Sequence, residues 1–79
     1  MPKKKIQYQG ADAWLLLAIV YANKSGEANL EGIIEVGDGI NHAIFTAEEL
    51  KGGISRLTSG GLIKEKNGIF SPTEVVSMF

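Results

Sequence analysis

The segment over residues 45–71 constrains the fold more than any other part of the sequence. It opens with a capping box, in which the Thr46 hydroxyl accepts from the Glu49 amide and the Glu49 carboxylate accepts from the Thr46 amide. Phe45 and Leu50 flank the box and can form a hydrophobic staple. The inward positions that follow, spaced three or four residues apart, are Ala47, Leu50, Ile54 and Leu57.

A β-hairpin is predicted directly after this helix. Ser59-Gly60-Gly61 provides a helix stop, and Asn67-Gly68 lies between two short runs that favour strands. Asn-Gly is a strong hairpin signal because both turn residues tolerate positive φ. We expect strands near Leu62 to Lys66 and near Ile69 to Ser71.

Two more helices are predicted upstream. The first runs from about Ala11 to Asn23, and the second begins near an N-cap at Asn29. Gly37 lies on the apolar stripe of the second helix, where we expect another backbone to approach closely. The residues expected to form one contiguous core are Leu15, Leu17, Ile19, Ile33, Ile34, Leu50, Ile54, Leu57 and Leu62.

Length and composition exclude several classes of protein. With 79 residues, there is room for one domain, which we place at residues 11–79 after a flexible basic arm at residues 1–10. The chain has no cysteine and a single histidine, His42, so we expect no metal site, no cofactor and no enzyme activity. The longest apolar run, Ala13 to Ala22, is shorter than the roughly 20 residues that span a bilayer. We therefore expect a soluble, cytoplasmic protein.

The stretch FTAEELKGGISRLTSGGLIKEKNGIFSPT resembles a run found in bacterial winged-helix regulators and in small winged-helix proteins. That run has the pattern T-x-x-E-L-x-x-G-L-x-x-L-x-x-x-G-L-I, followed by G-x-x-x-x-T. The resemblance covers Asp12 to Thr73. It implies an α+β winged helix-turn-helix fold, with three helices, a two-stranded β-hairpin wing and a short C-terminal apolar tail. Winged helices bind DNA, bind RNA or act as protein contacts, so the fold alone does not determine the function.

By this resemblance the helix from Thr46 to Ser59 is a recognition helix, and Lys66-Asn67-Gly68 is the tip of the wing. We expect Glu48 and Gly52 on the outward face of that helix, where Gly52 either allows a partner to approach or is simply tolerated. Arg56 can pair with guanine or phosphate there, and serine hydroxyls can donate to phosphates. The candidate nucleic-acid-binding residues are Lys51, Ser55, Arg56, Ser59, Lys64, Lys66 and Asn67.

The leading interpretation is a small DNA-binding domain, a transcriptional regulator that contacts duplex DNA. The alternative is a winged-helix protein–protein interaction module without nucleic-acid binding. A net charge of −1 counts against DNA binding, whereas the basic run Lys3 to Lys5 is either a solvated terminus or a phosphate-contacting arm. The first helix is apolar on nearly all sides and the tail Val75 to Phe79 is apolar too, so we also expect a homodimer through one of them.

Overall fold

Three helices precede a two-stranded antiparallel hairpin, in the order that the sequence predicts. The computed structural model describes residues 6–74, so the predicted basic run at Lys3 to Lys5 and the apolar tail lie outside the described residues. The elements are α1 (Gly10–Ser25), α2 (Leu30–Asn41), α3 (Ala47–Ser59), β1 (Ile63–Lys66) and β2 (Ile69–Pro72). The fold is α+β with the layout of a winged helix.

The predicted caps of α2 and α3 are confirmed. Thr46 Oγ1 accepts from the Glu49 amide at 3.0 Å, and Glu49 Oε1 accepts from the Thr46 amide at 2.9 Å. At the start of α2, Asn29 Oδ1 accepts from the Gly32 amide at 2.8 Å. These side chains satisfy amides that have no partner inside their helices, and so they fix where α2 and α3 begin.

The hairpin turn is also as predicted. Asn67 and Gly68 both have positive φ, at 54° and 81°, as a two-residue turn of the favoured twist requires. The strand register pairs Lys66 with Ile69 and Lys64 with Ser71, which puts both lysines on the face opposite buried Ile63. Lys64 and Lys66 therefore share one exposed face of the hairpin.

The edge of β2 that does not pair with β1 forms a hydrogen bond to the loop between α1 and α2, which the sequence does not predict. The Phe70 amide donates to the Ala28 carbonyl at 2.9 Å, and the two residues form an antiparallel bridge. Asn23 Nδ2 donates to the Phe70 carbonyl at 3.4 Å. The end of α1 and the loop that follows it thus both hydrogen-bond to the backbone of Phe70 and hold the hairpin against the helices.

One predicted core residue, Leu17, is exposed. The face of α1 that enters the core carries Leu15, Ile19 and Ala22, and Leu17 points away from it with 40% of its surface exposed. The prediction was wrong because α2, α3 and β2 all pack against α1 but leave the side that carries Leu17 uncovered. The other predicted core residues are buried or packed against the buried cluster, namely Leu15, Ile19, Ile33, Ile34, Leu50, Ile54, Leu57 and Leu62.

An aromatic ring lies closest to Gly37. The sequence predicts the backbone of another element at this position, so that prediction is wrong. A Cβ at this position would collide with the ring of Phe45. Phe45 stacks on Trp14 with ring centroids 3.8 Å apart, and Trp14 Nε1 donates to the Gly37 carbonyl at 2.9 Å. The glycine therefore lets α2 close over an aromatic pair that links α1 to the residue preceding the α3 cap.

Candidate interaction surfaces

Arg56, the central candidate for DNA contact, is held by an acidic residue of α1. Its Nε donates to Asp12 Oδ2 at 2.6 Å and its Nη2 donates to Asp12 Oδ1 at 2.9 Å. The Asp12 side chain is only 2% exposed, whereas that of Arg56 is 24% exposed. A bidentate pair of this kind fixes the plane of the guanidinium group. Any base or phosphate must compete with a buried carboxylate for it.

Asp12 has a second role at the start of α1. Its Oδ2 also accepts from the amide of Gln9, the N-cap residue, at 2.9 Å. The hydrogen bond from Arg56 lowers the pKa of Asp12; burial opposes that shift and the Gln9 amide adds to it. The same pairing raises the pKa of Arg56. One carboxylate thus stabilises the first turn of α1 and connects it to α3.

Two consecutive glycines of α3 provide the space for this ion pair. A Cβ on Gly52 would lie 3.0 Å from Arg56 Nη1. A Cβ on Gly53 would lie 2.5 Å from Leu15 Cδ2 and 3.1 Å from Asp12 Oδ1. Packing against Arg56, and against Asp12 and Leu15 of α1, therefore accounts for the two glycines. This corrects the expectation that Gly52 and Arg56 lie free on the outward face, since both are half-buried and Arg56 is paired with Asp12 of α1.

The remaining candidate residues are exposed on two elements. Lys51, Ser55 and Ser59 lie on the exposed side of α3, and the hairpin exposes Lys64, Lys66 and Asn67. Around Arg56, a shallow depression is lined by Gln9, Thr46, Glu48 and Glu49. The surroundings of the guanidinium are therefore acidic, which disfavours the approach of a phosphate.

The outer face of the hairpin borders a shallow groove next to the end of α1. The groove is lined by Asn23, Glu27, Lys64, Glu65, Lys66, Asn67, Ile69 and Ser71. Within the turn, Glu65 Oε2 accepts from the Gly68 amide at 2.6 Å. The two lysines thus lie near acidic groups of the hairpin and of the loop before α2.

The described part of the chain is acidic overall. All nine acidic residues fall within residues 6–74, but only five of the eight basic residues do, because Lys3 to Lys5 lie outside. Three exposed acidic residues, Glu31, Glu35 and Asp38, lie on α2. Non-specific attraction to a polyanion therefore depends on local basic groups and not on the charge of the folded body.

The outer face of α1 carries neither acidic nor basic groups over most of its length. No charged residue occurs between Asp12 and Lys24. Ala13, Leu17 and Tyr21 follow one another at helical spacing and are all exposed, Leu17 by 40% and Tyr21 by 46%. We call these three residues the α1 outer face.

The described residues contain neither a candidate metal centre nor a candidate membrane span. Within residues 6–74 no group of three acidic, histidine or cysteine side chains is placed to hold a metal ion. None of the helices formed by these residues has the length and apolar character needed to cross a bilayer. The chain matches no known family model, no curated protein and no solved structure.

Proposed function

We propose that this domain is a protein-contact module, and that the α1 outer face is its contact surface. The observation that carries the proposal is the exposure of Leu17 and Tyr21, one helical turn apart on a stretch of α1 without charge. Exposed apolar residues that are contiguous mark interaction sites more often than scattered ones do. The pairing of Arg56 with Asp12 supports the same reading, because a buried carboxylate already engages the most versatile DNA-contacting group of α3.

A second copy of the chain is the partner that fits this face. Two identical acidic bodies repel each other, and the α1 outer face is a region where they can meet without bringing acidic groups together. In an antiparallel arrangement about a twofold axis near Leu17, Tyr21 of one copy lies over Ala13 of the other. A large side chain then faces a small one on both sides of the axis, as an isologous contact requires. The proposed location is a reducing cytoplasm, because a chain without cysteine has no disulfide that such a compartment could reduce.

Sedimentation tests this proposal directly. The parent chain is expected to form a dimer at high micromolar concentration, and Leu17→Glu is expected to be monomeric because the charge would be buried near the axis. Ile44→Glu is the matched control, since Ile44 is an apolar residue with 68% exposure outside α1. A monomeric parent, or equal dissociation in both variants, contradicts self-association through α1.

DNA binding by a transcriptional regulator is the second candidate function. The observation in its favour is that Lys64 and Lys66 share the exposed face of the hairpin, next to Asn67 at the tip. Two cations 2 residues apart on one strand can follow neighbouring phosphates, as roughly 7 Å separates such side chains. Lys51, Ser55 and Ser59 would add contacts from α3. The acidic surroundings of Arg56 count against this candidate.

A further inference from the structure

We propose that the hairpin tip is a site of spontaneous deamidation, and that Glu65 controls how fast the folded protein undergoes this modification. Asn67 is exposed, and the residue that follows it has no side chain to hinder attack by its backbone nitrogen. Both residues lie in a turn that the strands hold at positive φ. The Gly68 amide, which supplies the attacking nitrogen, donates to Glu65 Oε2 at 2.6 Å.

The reaction involves only the chain and water. The Gly68 nitrogen loses its proton to a solvent base and attacks Cγ of Asn67, so that a new C–N bond closes a five-membered succinimide. The side-chain nitrogen of Asn67 takes up a proton and leaves as ammonia. Water then opens the ring at one of its two carbonyls, which gives aspartate or isoaspartate at this position. No electrons are transferred and no cofactor is needed.

Glu65 opposes the first step of this reaction. Its carboxylate accepts a short hydrogen bond from the proton that must be removed, and such charge-assisted bonds are stronger than neutral ones. Removal of that proton would place a negatively charged nitrogen beside a negatively charged oxygen, which the Coulomb energy disfavours. The strand register holds Glu65 opposite Phe70, so the carboxylate stays beside the turn as long as the hairpin is intact.

The modification would change the surface of the hairpin. Conversion of Asn67 adds one negative charge beside Lys64 and Lys66 and changes the net charge of the chain from −1 to about −2. The isoaspartate product also adds a methylene group to the backbone of a two-residue turn. Because loop length sets the register of a hairpin, this product would disturb the pairing of Lys66 with Ile69.

Peptide mapping by mass spectrometry during incubation of the full chain in mildly alkaline buffer tests the proposal. The folded parent is expected to deamidate at Asn67 more slowly than the same chain in urea. Glu65→Ala should raise the folded rate about fivefold, equivalent to about 1 kcal/mol. The deamidation rate of folded Glu65→Gln should lie between those of the folded parent and of Glu65→Ala, because glutamine keeps a hydrogen-bond acceptor but loses the charge. Glu48→Ala, which removes an exposed glutamate from α3, should leave the rate unchanged.

Hydrogen exchange separates a local effect of Glu65 from loss of the hairpin. In Glu65→Ala the Gly68 amide should exchange faster, whereas the Phe70 amide, which donates to Ala28, should keep its protection. Equal deamidation rates in Glu65→Ala and the parent would overturn the proposal. So would a parent that reacts equally fast folded and in urea, or a Glu65→Ala variant in which the Phe70 amide loses protection in parallel with the faster deamidation.

Discussion

Asp12 and Arg56 lie 44 positions apart in the sequence and form a bidentate ion pair that joins the first turn of α1 to the last turn of α3. The carboxylate is buried and the guanidinium is partly exposed, so only the arginine side of the pair contacts solvent to a notable extent. Buried charges are tolerated where their hydrogen-bonding capacity is satisfied, and Asp12 has three donors on two oxygens. Replacing either partner therefore affects more than one element.

Substitution of Asp12 by asparagine is expected to destabilise the fold. The substitution keeps the size of the side chain but removes the charge that Arg56 neutralises, and it places an amide NH₂ group near other donors. We expect a loss of roughly 1–3 kcal/mol in the free energy of unfolding, measured by urea denaturation. Glu35→Gln is the matched control, since Glu35 is exposed on α2 and should change stability by less than about 0.5 kcal/mol. Equal stabilities for the parent and both variants would mean that the ion pair adds nothing to the fold.

Stability should also depend on pH through Asp12. Pairing with Arg56 lowers the pKa of this carboxyl below its ordinary value of 3.8, so the folded state favours the ionised form. The stabilisation is thus fully present above 3.8 and is lost as the pH falls through the lower pKa of the folded state. Urea denaturation of the parent and of Asp12→Asn across this acidic range should give curves that converge at low pH. A constant difference between the two curves would assign the effect to a group other than Asp12.

Alanine substitutions at two helical glycines should have opposite effects. Alanine is favoured over glycine in a helix interior by about 1 kcal/mol. At Gly39 in α2 nothing lies within 4 Å of an added Cβ, so Gly39→Ala should stabilise the protein. At Gly53 the added Cβ would meet Leu15 and Asp12, so Gly53→Ala should destabilise it by about 1–3 kcal/mol despite the helix propensity. Thermal unfolding of both variants measures this contrast, and stabilisation in both would show that α1 can move away from α3.

The sequence predicts the local structure well because its signals are local. The capping box of α3 lies within four residues, and the Asn67-Gly68 turn requires only that two adjacent residues adopt positive φ. The pairing of Asp12 with Arg56 carries no such signal. An anion such as Asp12 is favoured in the first turn of any helix, and a cation such as Arg56 is ordinary on an outward face, so neither residue indicates the other. A sequence alone does not show that two helices bring them together.

The same limit explains the errors at Leu17 and Gly52. Helical spacing shows which residues share a face, but not how much of a helix its neighbours cover. Helical spacing predicts a core position for Leu17 because α1 is apolar on nearly all sides, but coverage by α2, α3 and β2 decides which side is buried. Gly52 next to Gly53 was the sequence signal closest to the ion pair, since two adjacent glycines inside a helix indicate a close neighbour on that side.

The salt dependence of DNA binding separates the two candidate functions. Because Arg56 is engaged by Asp12, the hairpin lysines and Lys51 would neutralise only about three phosphates, and the logarithm of the affinity should fall with the logarithm of salt concentration at a slope of about −3. A steeper slope would require basic groups beyond Lys51, Lys64 and Lys66. Fluorescence anisotropy on random duplexes should show weaker binding for Lys66→Glu on every sequence. If tens of micromolar protein bind no duplex at about 50 mM salt, DNA binding is rejected. That result would leave the α1 outer face as the proposed contact surface, because an apolar contact does not depend on attraction to phosphates.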